Sequence, residues 1–158
     1  MTHLEVFYAL LGLSTGYALL CGAAPERIVA LLFLGATALM PFVLSAVHGR
    51  YGSVEVGALT VDAVMYVALL WVALRAERYW PIWMSAMQGV QLLGHGIGLL
   101  GFKMLNLSYA IIDHTICYPM LLLLAIGVRR HQIRVARTGA DNSWSLSSAP
   151  WSPFSLRT

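Results

Sequence analysis

Apolar residues fall in long, nearly unbroken stretches along this chain, and polar residues are confined to the short gaps between them. Two stretches, Val56–Leu74 and Ile82–Leu100, flank the turn Arg75-Ala76-Glu77-Arg78-Tyr79-Trp80-Pro81. Each holds about 19 residues, and at ~1.5 Å per helical residue that matches the ~30 Å hydrocarbon core of a bilayer. Arg75 and Arg78 suit lipid headgroups, while Tyr79, Trp80 and Trp83 suit the membrane–water boundary. Pro81 can start the returning helix, whose first turn needs no amide donor at that point. The pattern predicts a transmembrane helical hairpin.

The same reading extends to both sides of the hairpin. A first helix is predicted near 5–22; the leading Met1-Thr2-His3-Leu4-Glu5 has no Lys or Arg and so does not resemble a signal-peptide start. Gly12 and Gly16 in that helix form the small-xxx-small pattern of close helix packing. A second helix is predicted near 28–47, with Pro41 removing one backbone hydrogen bond. The hairpin supplies helices near 56–75 and 81–101, and a fifth near 107–128 carries Asp113, His114 and Pro119. The fold class is therefore all-α, a polytopic transmembrane bundle of about five helices over residues 1–128. From Arg129 to Thr158 the chain turns basic and then rich in Ser and Pro, the composition of a disordered tail.

Composition agrees with the pattern. Of 158 residues, 59% are hydrophobic and 11% charged, whereas a soluble domain carries roughly 25% charged residues. The mean hydropathy is +0.73. A net charge of +3 reads as topology, with no nucleic acid among the expected partners. Arg27, Arg75, Arg78, Arg129, Arg130, Arg134, Arg137 and Arg157 fall on one side of a five-span chain, and only Arg50 and Lys103 on the other. The positive-inside rule places the C-terminus in the cytoplasm and the N-terminus outside. Cys21 and Cys117 have no zinc-site spacing and form no disulfide framework.

Ionisable residues inside apolar helices are functional candidates because burying them opposes insertion. Asp62, His95, Asp113 and His114 all lie at about 20 Å from the cytoplasmic helix ends at ~1.5 Å per residue. Gln88 and Gln91 share the His95 face of the fourth helix by i, i+3, i+7 spacing. Together these six residues form a predicted polar layer. One reading is interhelical hydrogen bonding without chemistry. Another is a proton or ion path through the aspartates and histidines. A third is a haem held between His95 and His114, which occupy matched depths. An aspartyl intramembrane protease is disfavoured, since Ala110-Ile111-Ile112 stands where a Gly-x-Gly-Asp motif would place its glycines. No phosphate loop, nucleophile elbow or metal motif occurs, so no catalytic residue, metal site or resident cofactor is predicted.

The run Glu77-Arg78-Tyr79-Trp80-Pro81-Ile82-Trp83, followed by Gln91 and His95, resembles a group of small bacterial integral membrane proteins with an Arg-Tyr-Trp-Pro-x-Trp turn between two helices. Pro25-Glu26-Arg27 and Tyr118-Pro119 extend the likeness up to Val128. The resemblance implies a bacterial inner-membrane setting and carries no activity with it. The expected function is accordingly a non-enzymatic accessory or assembly component. Its expected partners are the lipid bilayer and other membrane subunits or further copies of itself. Proton or ion transport and bis-histidine haem binding are the alternatives.

Overall fold

The computed structural model describes residues 3–45, 53–99, 106–139 and 144, and the side-chain surroundings of 5–43, 57–95, 115–139 and 144. Among these the chain is all-α. The five helices are α1 (His3–Cys21), α2 (Ala24–Ser45), α3 (Ser53–Arg75), α4 (Trp80–Leu99) and α5 (Asn106–Thr138). Two segments, Ala24–Val43 and Gly57–Arg75, are long and apolar enough to cross a membrane, and Glu5–Cys21 is a shorter apolar helix. The predicted links between the second and third helices, His48–Ser53, and between the fourth and fifth, Gly101–Asn106, fall largely outside the described residues.

Each helix packs on its sequence neighbour, and α5 closes back on α1 to make a ring, with α2 touching α5 across the middle. Contacts fix the directions. Val43 at the end of α2 meets Gly57 near the start of α3, and Trp80 at the start of α4 meets Gly127 late in α5, so both pairs are antiparallel. Phe7 packs edge-on against Tyr118 (6.4 Å between centroids), and Tyr17 further along α1 bonds Gln132 further along α5. Those two helices therefore run parallel, as the first and fifth of a set of helices that alternate in direction.

Both short turns lie at one end of the ring and are locally determined. Gly22 ends α1, its amide donating to Ala18 O at 2.9 Å. A Cβ at Gly22 would collide with Ala18 O and Glu26 Cβ, so the tight exit needs glycine. Ala23 caps α2, and Glu26 reaches back so that Oε2 accepts the Ala23 N–H at 3.1 Å, half of a capping box. Arg27 Nε donates to Gly22 O at 3.0 Å and staples the turn. In the other turn, Ala76 N bonds Val72 O and Arg78 N bonds Ala76 O, both at 2.8 Å, before Trp80 and Pro81 open α4. The fully buried core gathers toward this end: Ala18, Val29, Leu69, Val72, Met84, Leu124 and Val128 have no exposed surface.

One predicted boundary is corrected. The fifth helix does not stop at Val128, where hydropathy falls, but continues to Thr138. Arginine, glutamine and alanine are good helix formers, and 129–138 contains no Gly or Pro. The stop comes at Gly139, whose φ of 74° and amide bond to Val135 O (2.9 Å) form a left-handed cap. Hydropathy marks where an apolar environment ends, whereas the cap marks where the helix ends. Beyond it, Trp144 packs on Trp71 of α3 at 5.7 Å between ring centroids.

Candidate functional site

Asp62 sits in the middle of α3 between flanking apolar turns, and two side chains of α4 bond its carboxylate. Gln88 Nε2 donates to Asp62 Oδ1 at 3.0 Å. His95 Nε2 stands 2.7 Å from Asp62 Oδ2. Gln88 and His95 are two turns apart on one face of α4, so the carboxylate clamps the length of that face. The Asp62 and His95 side chains are 12% and 11% exposed, and Gln88 is 2% exposed. Gln91, one turn on from Gln88, is also buried. Below the clamp, Tyr66 lies so close to α4 that a Cβ at Gly89 would come within 3.1 Å of its ring, which draws the two helices together.

The predicted layer is thus assembled in part. Asp62 and His95, placed at one depth by their spacing, are in contact, Gln88 on the His95 face bonds the other carboxylate oxygen, and Gln91 lies on that face as well. Asp113 and His114 belong to α5, but their side chains lie outside the described residues, so their share in the layer is not established.

The predicted boundary residues divide. Arg75, Tyr79 and Trp83 are on the surface, the last two 80% and 64% exposed. The Arg75 guanidinium sits 5.4 Å from the Trp71 ring centroid. Arg78 and Trp80 do not face the boundary. Arg78 is buried because Nη1 pairs with Glu26 Oε1, both side chains being almost fully enclosed. Trp80 is 5% exposed, its indole seated over Gly127. Glu26 escaped the sequence reading. The signal was the opposite charges of Glu26 and Arg78 in two turns that the alternating topology places at the same end.

Chemically, the carboxylate–imidazole pair can hold a proton between Asp62 and His95, and the amide of Gln88 fixes the carboxylate's orientation. A bond from His95 Nε2 to a haem iron would require the contact with Asp62 to break. Among the described residues no group of three or more His, Cys, Asp or Glu side chains converges. No protein-family model, no curated protein and no solved structure matches the chain.

Proposed function

We propose that the chain is a multi-spanning protein of the bacterial inner membrane, N-terminus outside and C-terminus cytoplasmic, which acts without catalysis by packing against other membrane helices. Large apolar side chains point outward from every helix, among them Leu20, Phe42, Leu74, Leu93 and Leu122. A surface apolar on all sides suits lipid and partner helices, whereas water-soluble monomers avoid such patches. The clamp at Asp62 is enclosed between α3 and α4, which suits a fastening that specifies their register. The resemblance of the Arg78–Trp83 turn to bacterial membrane proteins agrees with this setting.

One observation carries the packing role. Gly12 and Gly16 lie on the outward side of α1 with Ala9, Leu13 and Leu20, and a Cβ at either glycine would meet no atom within 4 Å. The small-xxx-small pattern that normally brings helices together is therefore not spent inside this ring. It offers a second helix a close approach. Replacing both Gly12 and Gly16 by leucine is expected not to lower accumulation or the thermal midpoint, because the space is open and leucine is the better helix former. The same change is expected to abolish the associated species seen by crosslinking in native membranes. A wild-type chain that crosslinks to nothing, or a leucine variant that associates normally, would refute the packing role. Orientation has its own readout. Alkaline phosphatase fused after Arg137 is expected to be inactive, and an active fusion would reverse the topology.

The 2.7 Å contact between Asp62 and His95 supports a second reading, a proton path. The packing role expects no proton flux in vesicles containing the pure chain, and Asp62→Asn to fold with a loss below about 1 kcal/mol, since interhelical polar contacts in membranes average about that or less. Flux in the wild type that disappears in Asp62→Asn would establish the path instead.

A further inference from the structure

A groove of about 250 Å³ runs along the outside of the ring between α1 and α5. Its walls are Leu10 and Leu13 from α1 and Leu121, Leu122 and Ala125 from α5. The one hydroxyl on the α1 wall above Tyr17, that of Ser14, is turned back onto its own helix and donates to Leu10 O at 2.7 Å, so the wall is effectively hydrocarbon. Leu13 and Leu122 are well exposed, which leaves the groove open along its side. The Phe7–Tyr118 pair stands toward one end, and the Tyr17 hydroxyl donates to Gln132 Oε1 at 2.6 Å toward the other.

The lining suits a hydrocarbon occupant. From Leu10 to Tyr17 the groove is about 10 Å long at ~1.5 Å per residue. A groove that short, walled by leucines and open along its side, suits a stretch of one unbranched hydrocarbon chain. Charge selects the rest of the molecule. Arg129 is exposed and lies four residues beyond Ala125 on the same face of α5, about 6 Å further along the axis. It stands toward the end marked by Gln132, level with the two turns, where the headgroup of a lipid in the groove would lie. A guanidinium there recognises a phosphate by charge-assisted hydrogen bonds.

We infer that the α1–α5 groove is a binding site for one anionic phospholipid, with an acyl chain between Leu13 and Leu122 and the headgroup phosphate at Arg129. This rests on the membrane reading proposed above. The site takes a lipid of the cytoplasmic leaflet, where anionic headgroups attract basic residues beside the helix ends.

The test is native mass spectrometry of the full chain in mild detergent, titrated separately with phosphatidylglycerol, phosphatidylcholine of the same acyl chains, and inorganic phosphate. One phosphatidylglycerol is expected to bind at least tenfold more tightly than phosphatidylcholine, and inorganic phosphate is expected not to bind. Arg129→Gln, an exposed substitution that leaves the core untouched, is expected to erase the preference for the anionic lipid. Ala125→Phe, which fills the groove, is expected to remove binding of both lipids while Arg129→Gln removes only the preference. Equal affinity for the two lipids, a preference that survives Arg129→Gln, or phosphate binding without lipid binding would overturn the site. So would a second copy of the chain occupying the groove in place of lipid. Alkaline carbonate washing of the source membranes separates the two proposals: release of the chain refutes the membrane reading itself, whereas a retained chain without bound lipid refutes only this site.

Discussion

Replacing Glu26 by alanine is expected to lower the stability of the chain by about 3–5 kcal/mol, the usual cost of leaving one member of a buried ion pair without its partner. The Arg78 and Glu26 side chains are 2% and 0% exposed, so little water could replace the carboxylate beside the guanidinium. The substitution also removes the acceptor of the Ala23 N–H at the start of α2. Glu26→Gln separates the two effects, since the amide oxygen can still cap α2 but carries no charge; an intermediate loss is expected. Replacing both partners by apolar side chains, Glu26→Leu with Arg78→Met, is expected to restore most of the loss, because neither charge then needs to be desolvated. Thermal unfolding of the four proteins in one detergent measures all of this. A loss below about 1 kcal/mol in Glu26→Ala would place the pair with solvent-exposed bridges and would mean that this end of the ring admits water. The pair joins residues 52 positions apart, one in the first turn of α2 and the other in the link between α3 and α4, so its loss is expected to loosen α2 from the α3–α4 hairpin.

That pair also marks where the sequence stops being legible. The helices could be read because long apolar runs broken by polar turns dictate them almost without reference to packing. The common depth of Asp62 and His95 and the shared face of Gln88 and His95 could be read because both are set by helix geometry, but that they face one another could not, since it depends on helix rotation. Arg78 could not be read in the same way. An arginine in a turn has two favourable directions, outward to headgroups or inward to a buried carboxylate, and the choice depends on Glu26, far away in sequence. Trp80 and Trp83 make the same point. They are three residues apart and equally suited to a membrane boundary, yet Trp80 faces α5 and is buried whereas Trp83 faces away. Gly12 and Gly16 announced close packing, but the pattern carries no information on whether the partner helix belongs to the same chain. Helix rotation decides each of these cases, and rotation is a property of the assembled ring.

Rotation leaves its clearest trace at Gly127, where a side chain is expected to cost about 3 kcal/mol if it is valine. A Cβ there would lie 2.9 Å from both Cε2 and Nε1 of Trp80 and 3.1 Å from Cδ2. These are atoms of a rigid ring, not the end of a flexible chain, and the turn before Trp80 is held by backbone bonds at Ala76 and Arg78. Overpacking of this kind typically costs about 1–3 kcal/mol, and valine's branched Cβ places it at the upper end. Alanine is the more informative substitution. In a helix interior it is favoured over glycine by about 1 kcal/mol, so in Gly127→Ala that gain offsets part of the clash and a net loss of about 1 kcal/mol is expected. With Trp80→Leu the ring is gone and the clash with it, while the helix preference remains. In that background Gly127→Ala is expected to stabilise by about 1 kcal/mol, a change of sign that a double-mutant cycle detects directly. If alanine is equally unfavourable with and without the indole, Gly127 is needed for its backbone and not for the approach of Trp80, and the contact that sets α4 against α5 must be sought elsewhere on the two helices.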